Sequence, residues 1–302
     1  MNATQPAVGH RCGTIAIVGR PNVGKSTLLN ALIGQKLSIT SSKPQTTRHR
    51  VTGVLTRPEA QFVFVDTPGF QMRHLGALNR ALNRTVRGAL AEVDVVLLVV
   101  EAGRIDPGDR AVIRLLPPRV PVVLAANKAD RVPGPERMLP FLRAAAAAFD
   151  FAAIVPVSAS KGRRLGELLR VLEGLLPEQP PLFEPDALTD RSERFLAAEL
   201  VREKLFRQLG DEVPFGCAVT IELFREEGGL RRIHAAIVVE KDNHKPIVIG
   251  KGGERLKAIA TAARRDMERL FGAKVFLELW VKVRRGWTED EAAVGRLGVG
   301  DV

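Results

Sequence analysis

The chain has few of the residues that build cross-linked or membrane-spanning proteins. Only two of its 302 residues are cysteine, Cys12 and Cys217, so a disulfide framework is excluded and reduced thiols in a cytoplasmic protein are expected. Long apolar runs are also missing. The run from Val93 to Val100 is broken by Asp94 and is far shorter than the ~20 residues that span a bilayer. We expect neither a signal peptide nor a transmembrane helix.

Acidic residues are too few to balance the basic ones. The chain has 45 Lys and Arg against 34 Asp and Glu, a formal charge of +11, which favours a polyanionic partner. Up to residue 178 there are 24 basic and 13 acidic residues, and after it 21 of each. Within the balanced half, residues 241–285 contain 12 basic and 5 acidic residues. This basic block is either a functional patch or a set of solvated helix faces.

The length predicts two domains, because domains typically have roughly 100–200 residues. In the first half, β-rich apolar runs alternate with helical patterns, which predicts a mainly parallel sheet with helices on both faces. These runs are residues 14–18, 61–65, 95–100, 120–125 and 154–157. We predict an N-terminal tail (1–12), the α/β domain (13–178), a Pro-rich linker (179–189), a second domain (190–285) and a C-terminal tail (286–302).

The second domain follows a different pattern. Asp190, with Glu193 three residues later, predicts the N-terminus of a helix. Alternating strands are predicted at Cys217–Phe224 and Leu230–Val239, joined as a hairpin. A short apolar segment, a helix over about 253–270 and a strand at Lys274–Val283 complete an α-β-β-α-α-β order.

A glycine-rich loop follows the first predicted strand. Its sequence fits G-x-x-x-x-G-K-[ST] and leads directly into a helix, which is the context of a phosphate-binding loop. Backbone N–H groups and the helix N-terminus would bind phosphate oxygens, while Lys25 reaches the terminal phosphates and Ser26 binds Mg²⁺. The predicted nucleotide contacts here are Gly19, Arg20, Pro21, Asn22, Val23, Gly24, Lys25, Ser26 and Thr27.

A carboxylate follows the second predicted strand. Asp66 would lie at the carboxyl end of that strand, where ligands of open α/β sheets bind. From this position Asp66 can hold Mg²⁺ through water, and the Gly69 N–H can meet a γ-phosphate. The predicted contacts in this motif are Asp66, Thr67, Pro68 and Gly69.

Two further motifs predict that the base is guanine. Asp130 follows the strand ending near residue 125, and its carboxylate can accept hydrogen bonds from guanine N1–H and N2–H₂, which adenine lacks. A backbone N–H of the segment Ser158-Ala159-Ser160 can donate to guanine O6. The predicted base contacts are Asn127, Lys128, Asp130, Ser158, Ala159 and Ser160. Together the four motifs resemble those of the translation-factor class of GTPases, which implies GTP or GDP with Mg²⁺.

A polar segment at residues 43–50 is predicted to be a mobile loop. By resemblance to GTPases with a Thr-Arg pair, Thr47 is the Mg²⁺ ligand that appears when a γ-phosphate is bound, with Thr46 as the alternative. Phe70 stands where Ras-type enzymes have the Gln that orients water. The chain resembles the subgroup in which an Asn of the phosphate loop, here Asn22, helps bind K⁺. We therefore expect slow intrinsic hydrolysis that involves Lys25, Thr47, Asn22 and Gly69.

The basic block contains the sequence Gly-Lys-Gly-Gly between an apolar segment and a helix. This is the G-x-x-G loop of a type II KH module, which clamps single-stranded RNA. The alternative is an ordinary helix-capping turn. The predicted RNA contacts are Ile249, Gly250, Lys251, Gly252, Gly253, Arg255, Lys257 and Arg264.

Three other features are left open by the sequence. The alternating strand pattern favours a core position for Trp280 over an exposed one. The sequence contains no cluster of aromatic residues of the kind that would indicate extensive base stacking. Arg80, Arg84 and Arg87 form a helical stripe that is either solvated or in contact with RNA.

The motifs GRPNVGKST, KPQTTRHR, DTPG, NKAD, SAS and VIGKGG, with the ending LELWVKVRRGW, resemble the Era family of bacterial GTPases. The resemblance covers roughly residues 13–298. It implies a phosphate-loop GTPase domain followed by a type II KH domain that binds the 3′ end of 16S ribosomal RNA, with a role in assembly of the small (30S) subunit. It also implies a cytoplasmic protein with peripheral association with the inner membrane; a monomer is expected.

Two other functions fit parts of the sequence. The first is a signalling or membrane-trafficking GTPase whose C-terminal domain binds protein. The second is an RNA chaperone whose nucleotide site has no meaningful turnover. A steep fall of partner affinity with salt distinguishes RNA from protein, and a single-turnover GTP assay tests the chaperone.

Overall fold

The computed structural model describes residues 9–70, 76–210 and 212–297. The first eight residues of the predicted N-terminal tail and the last five of the predicted C-terminal tail lie outside these ranges. The described chain divides into two units. The N-terminal unit contains residues 9–38, 49–70 and 82–190, and the C-terminal unit contains 39–48, 76–81, 191–210 and 212–297. Two segments from within the first half of the sequence thus belong to the C-terminal unit.

The N-terminal unit is built on a six-stranded sheet. Its strands are β1 (Arg11–Val18), β2 (Val51–Thr56), β3 (Ala60–Asp66), β4 (Val95–Glu101), β5 (Val122–Asn127) and β6 (Ala153–Pro156). The order is β2-β3-β1-β4-β5-β6, and all neighbours are parallel except β2 and β3. The predicted mainly parallel α/β fold is confirmed, and the antiparallel β2 is a strand that the sequence did not reveal.

Helices connect these strands. They are α1 (Lys25–Ile33), α2 (Ala77–Ala91), α3 (Pro107–Ile113), α4 (Pro135–Ala148) and α5 (Leu165–Glu173). The central strands β1, β4 and β5 consist almost entirely of buried residues, as expected for parallel strands covered on both faces. This core fixes the carboxyl ends of the strands, from which the predicted nucleotide motifs emerge.

The predicted Pro-rich linker lies along the edge of the sheet. The Gln61 side chain accepts from the N–H groups of Leu182 and Phe183 at 2.8 and 2.9 Å. The Val54 N–H donates to Leu188 O at 2.8 Å, and the Thr189 hydroxyl donates to the carbonyl of Thr52. Residues 182–189 are therefore held to β2 and β3 and belong to the N-terminal unit.

The C-terminal unit has the predicted α-β-β-α-α-β order. Its elements are α6 (Glu193–Gln208), β7 (Cys217–Glu227), β8 (Leu230–Val239), α7 (His244–Ile249), α8 (Glu254–Phe271), β9 (Lys274–Val283) and α9 (Glu291–Arg296). β8 is antiparallel to β7 and parallel to β9. The core contains Leu200, Ile237 and Ile259, from α6, β8 and α8. The type II KH arrangement is confirmed.

Two ends of this unit differ from the sequence prediction. The residue that caps α6 is Ser192, whose hydroxyl accepts from the Phe195 N–H, whereas Asp190 accepts from Thr52. The predicted C-terminal tail contains α9 and Trp287, a 1% exposed residue whose indole N–H donates to Gly216 O at 3.0 Å. Within the described ranges, no helix is both long and apolar enough to cross a membrane.

Candidate nucleotide and RNA sites

The loop between β1 and α1 has a backbone that only small residues permit. Gly19 and Gly24 have φ angles of 153° and 99°. A Cβ on Gly19 would lie 2.4 Å from the carbonyl oxygen of Val99, and one on Gly24 would lie 2.4 Å from the Asn127 amide nitrogen. Neighbouring strands therefore enclose the loop tightly, as a phosphate-binding loop requires.

Lys25 is buried in this loop. Its Nζ donates to the carbonyls of Gly19 and Arg20 at 3.1 and 3.0 Å. Burial lowers the pKa of the Lys25 ammonium to about 8, an effect that the negative charge of Asp66 opposes. A buried ammonium group that contacts carbonyl oxygens would be stabilised by an ion pair with an anionic phosphate.

Two predicted Mg²⁺ ligands lie next to each other. The Ser26 hydroxyl donates to Asp66 Oδ2 at 2.7 Å, and the Ser38 hydroxyl donates to the same oxygen at 2.7 Å. Asp66 is fully buried, burial raises the pKa of its carboxyl group, and its Oδ1 has no hydrogen-bond partner among the described residues. An unsatisfied buried carboxylate oxygen beside a hydroxyl fits the oxygen ligands that Mg²⁺ prefers. Sequence reasoning missed Ser38.

The segment after Asp66 packs onto the phosphate loop. A Cβ on Gly69 would lie 2.7 Å from Pro21 N and Cα, and the Phe70 N–H donates to Gly19 O at 3.3 Å. The Phe70 ring packs against the apolar core, so it is not available to orient water. The Thr67 hydroxyl donates to Ile17 O at 2.8 Å, which leaves only its backbone for the predicted nucleotide contact. Pro68 is buried beside it.

Arg20 faces carboxylates. Its guanidinium lies 3.0 Å from Asp106, 3.1 Å from Asp109 and 3.6 Å from Glu101. Glu101 also bonds Lys128 Nζ at 3.0 Å. This charged network connects the phosphate loop with the base motif through the side chains of Arg20 and Lys128.

Asn127 joins three of the predicted motifs. Its amide Nδ2 donates to Val23 O at 2.9 Å, and its Oδ1 accepts from the Ala159 N–H at 3.0 Å. The Ala159 N–H is thus engaged by Asn127, and the contact of residues 158–160 with guanine O6 stays a prediction. Asp130 is exposed, so its carboxylate is accessible for hydrogen bonds from a guanine base. The remaining predicted base contacts, Ser158 and Ser160, lie in the turn after β6.

Residues 43–48 of the predicted switch loop belong to the C-terminal unit, and residues 49 and 50 to the N-terminal unit. The segment has no helix or strand, as predicted, but Thr46 and Thr47 are buried, at 8% and 7% exposure; mobility of the loop stays a prediction. The Thr46 hydroxyl donates to Lys43 O at 2.7 Å and pairs with the Ser41 hydroxyl. The structure therefore brings Ser26 and Asp66 together in one unit and assigns Thr47 to the other.

Arg48, which sequence reasoning missed, anchors this segment. It is fully buried, and its guanidinium donates to the carbonyls of Cys217 and Phe215 at 2.8 and 2.7 Å. It also lies 5.7 and 5.8 Å from the ring centroids of Phe206 and Trp287. Burial, together with the nearby charge of Arg202, lowers the pKa of Arg48 to about 9. Only its position beside the threonines marks it in the sequence.

The second glycine loop connects α7 to α8. Gly250, Gly252 and Gly253 have φ angles of 76°, 58° and 81°, which favour glycine. A Cβ on Gly250 would lie 2.8 Å from Arg255 Cβ, whereas a Cβ on Gly252 or Gly253 would meet nothing within 4 Å. The tip of the loop is open, so a nucleic-acid backbone can approach it.

The predicted RNA-contact side chains are of two kinds. Lys251 and Lys257 are exposed and have no ion-pair partner among the residues that the structure describes. Arg255 donates to Ile247 O at 2.6 Å, and Arg264 pairs with Glu268 at 2.9 Å. The two lysines are therefore the freer cations. Of the preceding apolar residues, Ile249 packs against the core and Ile247 is 37% exposed.

The arginine stripe lies on α2 and is exposed. Arg80 lies 3.3 Å from Glu291. The role of the stripe stays a prediction.

Family models match both halves of the chain. A model described as a 50S ribosome-binding GTPase matches residues 14–128, and a KH-domain model matches residues 212–288. GTPase Era of Nitrosomonas eutropha is 57% identical over 292 residues, which cover 97% of this chain and 99% of that protein. The chain belongs to the GTPase Era family. Era of Chromobacterium violaceum is 56% identical, with 95% of this chain and 97% of that protein covered.

Solved Era structures share the fold. Era of Aquifex aeolicus, a variant bound to GDP·AlF4⁻, has a TM-score of 0.92 at 39% identity, with 96% of this chain and 99% of that chain covered. A second Era structure, in complex with MgGDPNP and nucleotides 1506–1542 of 16S ribosomal RNA, has the same TM-score, identity and coverage.

Proposed function

We propose that this Era-family chain hydrolyses GTP and uses its bound-nucleotide state to control binding of the 3′ end of 16S ribosomal RNA during assembly of the small subunit. The observation that carries the proposal is the pairing of Ser26 with Asp66 beside the buried Lys25, in a chain that also carries an open KH loop. Relatives with this pair of sites bind GDP·AlF4⁻ in one structure and MgGDPNP with 16S RNA in another.

The N-terminal unit would perform the nucleotide chemistry. Lys25 and the N–H groups of the phosphate loop bind the β- and γ-phosphates, and the exposed Asp130 carboxylate accepts hydrogen bonds from guanine. Ser26 and Asp66 would hold Mg²⁺, which neutralises charge on the phosphates. The Gly69 N–H meets the γ-phosphate, and Thr47 completes the site when a γ-phosphate is present.

Hydrolysis would be slow without a further factor. Phe70 packs into the core and leaves no side chain there to orient water. Asn22 is exposed and has a φ of 64°, so its side chain projects from the phosphate loop. We propose that it helps bind K⁺, whose charge stabilises the transition state.

The C-terminal unit would bind RNA. The open glycines let the phosphate backbone approach the α7–α8 loop, and Lys251 and Lys257 supply cations. Ile247 is the exposed apolar residue on which a base can lie. We also propose, from family membership, a cytoplasmic monomer with peripheral contact with the inner membrane.

Matched glycine substitutions test the RNA site. Gly252→Asp places a carboxylate where phosphates are expected, and like charges cost several kcal/mol, so RNA affinity should fall by about tenfold or more. Gly228→Asp is the control, because Gly228 has a φ of 56° against 58° for Gly252, and a Cβ added to either residue would meet no other part of the protein within 4 Å. Fluorescence anisotropy with a labelled 3′-terminal 16S RNA gives the affinities. Equal affinities for the two variants would remove the RNA site from the KH loop.

A further inference from the structure

In the described part of the C-terminal unit, one face of the three-stranded sheet packs into the hydrophobic core, and the other face carries side chains that lie outside that core cluster. Ile233, Ile237 and Val275 point into the core. Because side chains alternate along a strand, Arg232 and His234 of β8 lie on the opposite face, as do Phe276 and Trp280 of β9. The register pairs Arg232 with Phe276 and Ala236 with Trp280. Trp280 is thus outside the core cluster, contrary to the position that the sequence favoured.

Three rings form a continuous row on this outer face. The His234 ring lies 6.2 Å from Phe276 and 6.3 Å from Trp280, edge to face in both cases. We call Phe276, His234 and Trp280 the aromatic row. Phe276 is 44% exposed, although a large apolar ring left in water is unfavourable.

Cations flank both ends of the aromatic row. The Arg232 guanidinium lies 5.1 Å from the Phe276 centroid, and the Lys282 ammonium lies 5.7 Å from the Trp280 centroid. These cations pair with the partly exposed carboxylates of Glu227 and Glu222 at 3.4 and 2.6 Å. Exposed pairs of this kind contribute only about 0–1 kcal/mol, so a phosphate can replace either carboxylate.

Phe276 is exposed, whereas His234 and Trp280 are half-buried. Accessible rings with adjacent cations can bind single-stranded RNA, because bases stack on the rings and phosphates meet the cations. A KH loop clamps about four nucleotides, whereas the RNA in the related complex spans nucleotides 1506–1542. An RNA of that length therefore extends beyond the segment that the loop can hold, and the remaining nucleotides are available to another surface.

We propose that the aromatic row is a second RNA-binding surface of this chain, which stacks unpaired bases outside the segment held by the KH loop. The proposal rests on the RNA-binding function proposed above. The KH loop and the aromatic row belong to different elements, since the loop joins two helices and the row lies on strands β8 and β9. Their contributions can therefore be separated by substitution.

Tryptophan fluorescence tests the proposal in the unmodified protein. The chain has two tryptophans and no tyrosine, and Trp287 is 1% exposed, so a stacking base can reach only Trp280. We expect the 3′-terminal 16S RNA covering nucleotides 1506–1542 to quench part of the emission, and Trp280→Phe to abolish that quenching. Unchanged emission while the RNA is bound would overturn the proposal.

Affinity measurements with a long and a short RNA provide the second test. Stacking is worth about 1–3 kcal/mol per base, so Phe276→Ala with Trp280→Ala should weaken binding of the long RNA by about tenfold or more. Binding of a roughly six-nucleotide 3′-terminal RNA, which the KH loop can hold alone, should not change. Glu278→Gln, which removes a carboxylate between the two outer rings, should strengthen binding of the long RNA.

The outcomes separate the two proposals. If the wild type binds neither RNA, the proposed function fails and the row has no RNA partner. If Gly252→Asp weakens both RNAs while the double variant weakens neither, the KH site stands and the aromatic row is not an RNA surface. In that last case capture of a protein by the row would be the alternative.

Discussion

The two glycine loops of this protein place a lysine beside glycines in opposite environments. In the phosphate loop Lys25 is 6% exposed, and a Cβ on Gly19 would meet a backbone oxygen at 2.4 Å. In the KH loop Lys251 is exposed and Gly252 has open space around it. The same residue types therefore build an enclosed site and an open one.

The difference follows from the ligands. A nucleotide phosphate is a compact group with concentrated charge, so an enclosed loop that removes water makes each contact strong. An RNA backbone is extended and stays solvated, so an open loop makes several weaker, salt-sensitive contacts. In the phosphate loop, glycine allows other parts of the protein to pack closely against the loop. In the KH loop, glycine leaves room for the RNA backbone to approach.

The largest difference between the two loops is expected in the stability lost when one of their glycines is replaced by alanine. Gly19→Ala forces a Cβ against the Val99 carbonyl, and overpacking with backbone strain should lower the free energy of unfolding by about 3 kcal/mol or more. Gly252→Ala should cost only the left-handed backbone penalty of about 1–2 kcal/mol. Denaturant unfolding of the two variants measures this. Equal losses would show that the phosphate loop is not more tightly enclosed.

Removal of each lysine charge should also have unequal effects. A hydrogen bond to a charged group is worth about 1.5–3 kcal/mol, so Lys25→Met should weaken GTP binding by roughly 10- to 100-fold. Lys251→Met should weaken RNA binding only a few-fold and reduce the salt slope by about 0.7, the share of one phosphate contact on a single strand. Calorimetry gives the GTP affinities, and RNA affinities measured over a series of salt concentrations give the salt slope. A larger loss of RNA affinity in Lys251→Met than of GTP affinity in Lys25→Met would reverse the comparison.

The pH dependence of nucleotide affinity should contain a contribution from Lys25. Burial lowers the pKa of Lys25 to about 8, so the nucleotide-free protein loses this proton as the pH rises through that value. The bound phosphates need the charged form, and binding must then take up a proton. Above the pKa, GDP affinity should fall by up to about tenfold per pH unit.

Lys25→Met is the control for that profile, because any titration of the nucleotide itself persists in the variant. A fall in affinity of the same steepness in the variant would mean that Lys25 does not titrate in this range.

The smallest effect concerns potassium. Asn22→Gly removes the amide while keeping a residue that tolerates the φ of 64°. We expect the wild type to hydrolyse GTP faster in K⁺ than in Na⁺ and the variant to show no difference. Equal rates of the wild type in both salts would exclude the potassium site.

Prediction from the sequence succeeded where a local pattern determines the structure. The loop before α1 and the turn before α8 both follow from glycines placed next to a helix. β2 was missed because its sequence, VTGVLT, has no clear alternation and because Gly53 is required by packing: a Cβ there would lie 2.8 Å from Leu29. Such a contact between distant segments leaves no local signal.

Side-chain roles were harder to predict for the same reason. Ser38 and Arg48 act through partners that lie 28 and 169 residues away, and neither stands in a periodic pattern. The aromatic row escaped notice because two of its rings lie on β9 and one lies on β8, so it forms a cluster only when the strands pair.

We propose that the nucleotide state controls RNA affinity. Arg48 holds the segment that contains Thr47 in the C-terminal unit, so recruitment of Thr47 by a γ-phosphate is the proposed route to the unit that carries the KH loop. The affinity of the 3′-terminal 16S RNA should be measured with a non-hydrolysable GTP analogue and with GDP. We predict tighter binding with the analogue, and by linkage the RNA must favour the GTP form equally. Equal RNA affinity in the two nucleotide states would contradict the account.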